Sequence, residues 1–386
     1  MTVFREITKS RLIHLCIAMT FFTSGLIINF IQLILHFCLK PFNTQLYRSL
    51  MYYLCFSLYS QLVFVAEWWA NSRIEVWIDE KDKKFAGKEH VLLVMNHTYE
   101  IDWLAGWMYA DKCQVLGNCK AYAKKVISYI PCIGWAWKFA EFVFLERSYD
   151  KDREIISRQL QAIMSYPHPV WLLLNAEGTR FTPQKHEASV KFAEERGLPV
   201  LKHHLIPRTK GFTASLASLR NKCTIYDINV AFKKDDPVAP TMSNLLNGNG
   251  VKAYMFVRRI PLDQVPEDEA KAAEWLQETF REKDRIQDSF HTTGSFFKTS
   301  GFKETQSEVQ QPRLQVLINY IAWATFSIST ILYYLVSSLL SQNWIGLSIA
   351  VGVLLTFYVL MSKAIGMSEI SKASSYGAEN GKKNTN

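Results

Sequence analysis

The stretch VLLVMNHTYEID, residues 91–102, carries the pattern that decides the fold. Its five apolar residues Val91–Met95 predict a buried β-strand, and the mixed apolar sequence from Glu100 to Ala110 predicts a helix. His97 and Asp102 therefore lie at a strand-to-helix junction, where a turn can bring their side chains together. A carboxylate that accepts a hydrogen bond from one imidazole nitrogen leaves the other nitrogen to take a proton from a substrate hydroxyl. The alternative is that His97 caps a turn and Asp102 begins a helix, because motif matches also arise by chance.

A second strand and loop follow the same plan. The apolar run Val170–Leu174 predicts another buried strand, and it leads into the loop NAEGTR, residues 175–180. Gly178 permits a tight backbone, and Glu177 and Arg180 would project from the loop, where open α/β sheets bind their ligands. Arginine suits a phosphate because its planar guanidinium makes two parallel charge-assisted hydrogen bonds. The alternative is a surface Glu–Arg pair that contributes little to stability.

Together the two loops resemble the signature of the glycerolipid acyltransferase family, an NHxxxxD block followed by an EGTR block. Two weaker blocks lie where that family has them, FVFLER at 142–147 and HLIPRTKGF at 204–212. The sequences EIDWLAGW at 100–107 and GLPVLKHHLIPRTKGF at 197–212, with a C-terminal apolar hairpin, are most similar to the animal endoplasmic-reticulum 1-acylglycerol-3-phosphate acyltransferases of the gamma/delta type. The resemblance covers residues 74–290 and the hairpin, and four blocks in order make it specific.

The middle of the chain predicts an α/β fold. Apolar residues recur at helical spacing between the candidate strands, as in Ile156, Leu160, Ile163 and Met164. Strands that alternate with helices predict a largely parallel or mixed sheet, and the resemblance implies a catalytic domain of the glycerol-3-phosphate acyltransferase type. The predicted strands are Ile74–Ile78, Val91–Met95, Glu141–Leu145, Val170–Leu174, Val200–Ile206, Thr224–Phe232 and Lys252–Arg258.

Both ends of the chain predict membrane helices. Leu12–Leu39 has no Asp, Glu, Lys or Arg, and as a helix it would span about 40 Å, against about 30 Å of hydrocarbon. Ser49–Ala66 is borderline and could span or lie along the interface; related acyltransferases place a two-helix motif here that can sit in one leaflet. Leu314–Ser362 is also uncharged, and the polar residues 341–343 divide it into two helices.

These patterns divide the chain into five predicted parts. We expect N-terminal membrane helices at 1–72, the α/β acyltransferase domain at 73–300, a polar linker at 301–313, a C-terminal transmembrane hairpin at 314–362 and a disordered tail at 363–386. The hairpin has basic flanks, which favours a cytosolic position for both of its ends. We expect it to contribute membrane attachment or stability more than chemistry.

The composition narrows the partners and the compartment. A net charge of +9 suits an anionic partner, and without a nucleic-acid module the better candidates are a membrane surface and phosphate-bearing substrates. The seven cysteines are scattered and form no CxxC pair, which argues against a disulfide framework or a zinc site and favours a reducing compartment. We expect no metal site, since His203 and His204 would point opposite ways in the strand predicted there.

The resemblance implies an acyl transfer that needs no cofactor, with acyl-CoA as a co-substrate and the free sn-2 hydroxyl of lysophosphatidate as acceptor. His97 would take the hydroxyl proton, and Asp102 would orient His97 and stabilise the imidazolium. Glu177 and Arg180 would shape the acceptor site, with Arg180 on the phosphate. The other candidates for substrate binding are motif residues or their neighbours: Asn96, Arg147, Gly178, Thr179, Arg208 and Lys210.

Several points stay open at this level. Arg147, Arg208 and Lys210 could equally form a solvated basic surface, and the oxyanion donor is undefined beyond a backbone N–H near Asn96 or Gly178. The leading function is phosphatidate synthesis at the endoplasmic-reticulum membrane, by a multi-pass protein with its catalytic domain in the cytosol. The alternatives are an acyltransferase for another lysophospholipid, such as lysophosphatidylinositol or lysocardiolipin, a catalytically silent lipid-binding scaffold, or a hydrolase. A serine hydrolase is disfavoured because the chain has no GxSxG motif.

Overall fold

The computed structural model of the chain describes residues 6–146 and 149–368, with side chains described throughout except at 149–153 and 367–368. Within these ranges eight strands form one sheet. The strands are β1 (Arg73–Ile78), β2 (Val91–Met95), β3 (Cys119–Lys124), β4 (Val143–Leu145), β5 (Trp171–Leu174), β6 (Thr224–Ala231), β7 (Lys252–Pro261) and β8 (Ser307–Val309). The α-helices are α1 (Arg11–Cys38), α2 (Thr44–Phe64), α3 (Glu80–Lys83), α4 (Asp102–Lys112), α5 (Ile133–Phe139), α6 (Tyr149–Ile163), α7 (Pro183–Glu195), α8 (Thr209–Leu219), α9 (Met242–Leu246), α10 (Glu269–Thr293), α11 (Leu314–Leu340) and α12 (Trp344–Ser368).

The sheet is mixed, as the sequence predicts. Its strand order is β4-β3-β5-β2-β6-β7-β1-β8, and the strands from β4 to β6 in that order run parallel. The β7 strand is antiparallel to β6 and parallel to β1, and β8 closes the far edge antiparallel to β1. In the register of β2 and β5, Val94 lies opposite Leu174. Because these neighbours are parallel, the loops that follow them, with NHxxxxD and EGTR, meet at one edge of the sheet.

Strand β2 lies at the centre of the domain, and all five of its residues are buried. Alternation along the strand divides them between two cores. Leu93 and Met95 face a core that includes residues of α1, α2 and α4. Leu92 and Val94 face a second core that includes residues of α6, α8 and α10. A continuous apolar run is typical of a parallel strand covered on both faces, which is why the sequence identifies this element so clearly.

The prediction of a strand at Val200–Ile206 is wrong, because this segment has no regular secondary structure. Its N–H groups bond to side chains and not to a neighbouring strand. The carboxylate of Asp284 accepts from the N–H groups of Lys202 and His203 at 2.8 and 2.7 Å. The apolar residues of this segment therefore belong to a loop that is anchored on α10.

Two further strands differ from the prediction. Sequence reasoning missed β3, whose sequence CKAYAK contains two lysines and lacks an apolar run. The strand predicted at Glu141–Leu145 begins only at Val143, because Glu141 adopts a φ of 59° in a turn. The first helix of the motif region begins at Asp102 and not at Glu100.

The C-terminal boundaries also shift. The segment predicted as a linker contains β8, which pairs with β1, so it forms part of the sheet. Helix α12 continues to Ser368, beyond Ser362. Residues 369–386 of the predicted tail lie outside the described part of the chain.

Four helices are long and apolar enough to cross a membrane: Arg11–Cys38, Thr44–Trp69, Leu314–Leu340 and Trp344–Gly366. The first two are 56% buried within the protein over their most apolar windows, against 17% for the last two. Both ends of the α1–α2 hairpin contact the α/β domain. At the turn, Lys40 Nζ lies 2.8 Å from Glu141, and near the start of α1, His14 Nε2 lies 3.1 Å from the carbonyl oxygen of Leu246. The N-terminal pair thus lies along the domain, whereas α11 and α12 expose apolar faces of the kind that suit lipid.

Candidate active site

The loop after β2 joins His97 to Asp102 by a hydrogen bond. His97 Nδ1 lies 3.0 Å from Asp102 Oδ2 and 3.2 Å from Oδ1. The carboxylate is fully buried, and it also accepts from the N–H groups of Tyr99 at 3.2 Å and Trp103 at 2.7 Å. Asp102 is the first residue of α4, where the helix dipole favours a negative charge. The contact assigns the Nδ1 proton to the bond with Asp102 and leaves Nε2 for a substrate.

The EGTR loop holds the backbone of His97 in place. Glu177 is 2% exposed, and its two carboxylate oxygens accept from the N–H of His97 at 3.0 Å and the N–H of Leu205 at 2.9 Å. The N–H of Phe181 donates to the carbonyl oxygen of His97 at 2.8 Å. The expectation that Glu177 binds the phosphate region is therefore corrected. Both of its oxygens are taken by the backbone, so it lies behind the catalytic loop as a brace.

Asn96 is also a structural residue and not a substrate ligand. It is fully buried, and its Oδ1 accepts from the N–H of Val230 at 2.8 Å. Its Nδ2 donates to the carbonyl oxygen of Val230 at 2.9 Å. This two-way bond fixes the end of β2 to β6, and Nδ2 also faces Thr98 Oγ1 at 3.4 Å, so the buried amide is engaged within the protein.

Positive charge gathers around the EGTR loop. Gly178 has a φ of +72°, and a Cβ there would lie 2.8 Å from Arg208 Cδ, so the Arg208 side chain crosses this residue. The N–H of Arg208 donates to the carbonyl oxygen of Ala176 at 2.7 Å, which docks the fourth motif block on the EGTR loop. Thr179 Oγ1 accepts from Lys185 Nζ at 2.7 Å. Burial and then the charges of Arg180 and Lys124 lower the pKa of Lys185, which places these basic groups in one neighbourhood.

The remaining basic candidates are Lys210 and Arg147. Lys210 is exposed in the first turn of α8, two residues after Arg208. Arg147 lies outside the described residues. Lys185 and Lys124 were not expected from the sequence.

An apolar cavity of about 400 Å³ lies near the end of β2 and the start of α4, where Met95 and Trp103 line it. Its lining includes Trp103, which directly follows Asp102, and Met95, two residues before His97. It runs along the face of the sheet that α1, α2 and α4 cover. Pockets that enclose small ligands commonly measure about 300–1,000 Å³ and are mostly apolar. This cavity can therefore hold a hydrocarbon group against the sequence neighbours of the His97–Asp102 pair.

A buried ion pair holds α10 against β2 and β6. Lys283, fully buried in α10, donates from Nζ to Asp227 Oδ1 at 2.7 Å and to the carbonyl oxygens of Val94 at 3.2 Å and Ile228 at 2.6 Å. Burial acts to raise the pKa of Asp227, but the charges of Lys283 and Arg258 outweigh it and hold the pKa below its usual value. The ion pair ties α10 to the carboxyl ends of β2 and β6, directly before the catalytic loop.

Comparisons with known proteins agree with this geometry. The model of the family described as "Acyltransferase" matches residues 73–233, and that of "Acyltransferase C-terminus" matches residues 244–323. Human 1-acyl-sn-glycerol-3-phosphate acyltransferase delta is 38% identical over 376 residues, which cover 97% of each chain. The chain belongs to the acyltransferase family. The human gamma form is 38% identical over 372 residues, 96% of each chain, and the bovine delta form is 40% identical over 369 residues, 95% of this chain and 94% of that one.

The solved structures that match the acyltransferase include the 1-acyl-sn-glycerophosphate acyltransferase PlsC from Thermotoga maritima, with a TM-score of 0.42 and 11% identity over 71% of this chain and 96% of that one.

His203 and His204, the second of which begins the fourth motif block, serve the fold of the acyltransferase. His203 Nε2 lies 2.8 Å from Asp288 and His204 Nδ1 lies 3.0 Å from Asp284, so each pairs with a different carboxylate of α10. They lie in a loop, not in the strand that was expected to separate them. Within the described residues, no three His, Cys, Asp or Glu side chains gather where they could hold a metal ion.

Proposed function

We propose that this acyltransferase moves an acyl group from acyl-CoA to the free hydroxyl of 1-acylglycerol 3-phosphate, giving phosphatidate. The observation that carries the proposal is the His97–Asp102 contact beside the basic EGTR loop. The family and the names of the relatives support it. The activity that these names describe requires a base for a hydroxyl, a site for a phosphate and space for an acyl chain. The structure holds a candidate for each.

The transfer needs one proton to move out and back. Nε2 of His97 takes the proton of the acceptor hydroxyl while its oxygen attacks the thioester carbonyl carbon. The tetrahedral intermediate collapses with cleavage of the C–S bond, and the imidazolium returns the proton to the leaving thiolate. Asp102 holds the imidazole in the correct tautomer and stabilises its charged form. Positioned base catalysis of this kind contributes about 10²–10⁴-fold, and holding both substrates together contributes more.

The acceptor phosphate is assigned to the cations of the EGTR loop. Arg180 is the principal ligand, because a guanidinium offers a bidentate fork to a phosphate. The side chain of Arg208 crosses Gly178 in the same loop region. Lys185 adds a further positive charge, and its ammonium donates a hydrogen bond to Thr179. Thr179 thus shapes the loop through this bond. The acyl chain of the donor is assigned to the apolar cavity next to Trp103.

We place the enzyme in the endoplasmic-reticulum membrane with its α/β domain in the cytosol. The seven cysteines within the described residues are unpaired thiols, which suits a reducing compartment. Arg313 precedes α11 and Lys363 lies in the last two turns of α12, which favours a cytosolic position for both ends of the hairpin. Protease protection of sealed microsomes tests this placement. Cleavage of the α/β domain without detergent supports it, and protection would overturn it.

The test of the activity is an assay in microsomes with labelled oleoyl-CoA and a panel of lysophospholipids. We expect lysophosphatidate to be the preferred acceptor and His97→Ala to abolish transfer. The matched control is His168→Ala, which removes an exposed histidine and should behave as wild type. Preference for another lysophospholipid would keep the chemistry and overturn the acceptor. Activity of the His97→Ala variant at the wild-type level would overturn the mechanism.

A further inference from the structure

The C-terminal hairpin forms part of the wall of the apolar cavity. Four of its residues line the cavity: Tyr320 from α11 and Met361, Ala364 and Ile365 from α12. The opposite wall belongs to the sheet and to α4, next to the catalytic pair. A pair of helices whose sequence predicts only membrane attachment therefore reaches the site where the structure leaves room for a hydrocarbon chain.

The first turns of α11 are fixed to the α/β domain. Arg313 Nη1 lies 2.9 Å from Asp111 Oδ1 and donates to the carbonyl oxygen of Asp111 at 2.7 Å. Asp111 is fully buried near the end of α4, the helix that Asp102 begins. Asn319 donates to Ser60 Oγ at 2.9 Å. These contacts hold the entry of the hairpin in a defined position, so its contribution to the cavity is a feature of the fold.

Aromatic stacking continues the attachment deeper in the hairpin. Tyr320 stacks on Phe64 with ring centroids 3.6 Å apart and an interplanar angle of 7°. Phe357 of α12 stacks on Phe22 of α1 at 5.4 Å, and Phe22 also lines the cavity. The helix α12 is thereby oriented with one side toward α1.

Helix α12 presents different residues to the cavity and away from it. Phe357, Met361, Ala364 and Ile365 recur at i, i+4, i+7 and i+8, which places them on one helical face. Leu355, on the same helix, is 61% exposed and does not line the cavity. Exposed leucine on an apolar helix suits contact with lipid. A single helix therefore separates the cavity from the surrounding lipid.

We propose that the C-terminal hairpin is the outer wall of the donor acyl-chain pocket and that Met361 sets which chains the pocket accepts. The inference rests on the proposed acyl transfer. The donor chain is the occupant because Arg208, one of the cations assigned to the acceptor phosphate, directly precedes α8, which packs on the opposite face of the sheet. The flexible thioether of Met361 adapts to chains of different shape. The hairpin thus contributes to chain selection, in contrast to the expectation that it serves attachment more than chemistry.

The experiment uses the full chain in nanodiscs, with lysophosphatidate as acceptor and acyl-CoA donors of 12 to 20 carbons. Met361→Trp fills space at the cavity wall, and each methylene excluded from an apolar pocket changes an equilibrium constant about fourfold. Exclusion of about two methylenes should lower the ratio of kcat/KM for the longest to the shortest donor about 15-fold. The matched control is Leu355→Trp, which adds the same side chain on the lipid side and should leave this ratio unchanged.

The donor-chain assay can overturn the proposal in several ways. An unchanged ratio in Met361→Trp, or an equal shift in the Leu355→Trp control, would overturn the inference. A ratio that responds to the acceptor chain and not to the donor chain would overturn the assignment of the occupant. If Met361→Trp is inactive with every donor, Met361→Ala decides, because an enlarged pocket should shift the ratio toward longer chains and an unchanged ratio counts against the proposal.

A labelling experiment separates this inference from the proposed function. An acyl-CoA with a diazirine near the end of its chain should label Met361 or Ile365 in the wild-type protein, and unlabelled acyl-CoA should compete. Labelling without any acyl transfer would leave the pocket standing while the proposed function fails. Labelling that does not respond to competition, or that falls equally on Leu355, reflects chains in the bilayer and would overturn the pocket.

Discussion

Replacing Glu177 by Gln tests whether this residue braces the catalytic loop or binds the acceptor. In the structure its two oxygens hold the N–H groups of His97 and Leu205 at 3.0 and 2.9 Å. Gln keeps one acceptor oxygen and turns an NH₂ group, which is a donor, toward the other N–H. The variant is therefore expected to lose one charge-assisted hydrogen bond and to leave a buried donor without a partner.

The size of the effect follows from this geometry. A hydrogen bond to a charged group contributes about 1.5–3 kcal/mol, so we expect the free energy of unfolding to fall by about 3 kcal/mol. At about 2–4 °C per kcal/mol for a domain of this size, the melting temperature should drop by about 6–12 °C. A shift of His97 by about 1 Å is enough to lower kcat about 100-fold. Thermal unfolding in detergent micelles and steady-state kinetics measure the two effects on the same preparation.

The control and the contrary result are well defined. Glu187→Gln makes the same chemical change at an exposed position of α7 and should alter neither quantity. If Glu177 instead faced the acceptor phosphate, removing its negative charge would lower the KM for lysophosphatidate and leave stability and kcat unchanged. That result would refute the brace.

Three further predictions test the pair, the phosphate site and a buried amine. Asp102→Asn should lower kcat about 10³–10⁴-fold with little change in KM, because Asn does not hold the His97 tautomer; near-normal kcat would contradict the dyad. Arg180→Lys should raise the KM for lysophosphatidate, since Lys lacks the bidentate fork, and an effect limited to the KM for acyl-CoA would contradict the assignment. Burial lowers the pKa of Lys120 from 10.5 to about 8, so the native state binds fewer protons than the unfolded chain between these pH values and its stability rises with pH across that window. Lys120→Met removes this dependence, so the melting temperature of the variant should exceed that of wild type by the largest margin at pH 7. A difference in melting temperature that does not vary with pH would contradict the prediction.

The parts of the fold that local sequence determines were predictable. Strand β2 is a continuous apolar run between two cores, so its type and ends follow from composition alone. His97 and Asp102 are five residues apart, and a turn into a helix is enough to join them. The mixed sheet and the apolar terminal helices were likewise predicted correctly.

The parts that depend on distant partners were not predictable. Glu177 was expected to face a ligand, but its role is set by a backbone N–H that lies 80 positions earlier in the chain. Lys283 lies in the charged sequence REKDR, which indicates a solvated helix face, yet its ammonium is buried against carbonyl groups of β2 and β6. The loop at Val200–Ile206 has strand-like composition and is held open by Asp284. In each case the deciding hydrogen bond joins segments whose proximity no local pattern reveals.

The hydrogen bonds that position the His97–Asp102 loop join residues that lie far apart in the sequence. This separation determines when activity can arise during synthesis. Both residues of the His97–Asp102 pair have been synthesised once residue 102 is added, but the bonds that position them reach residues 177, 230 and 283, which lie 80, 134 and 189 positions from their partners in the loop region. A nascent chain that stops short of α10 therefore carries the base without an assembled site, and its thioester chemistry is silent. Such non-local closure is slow and cooperative. Acyltransferase activity is thus expected only once the whole domain has been assembled.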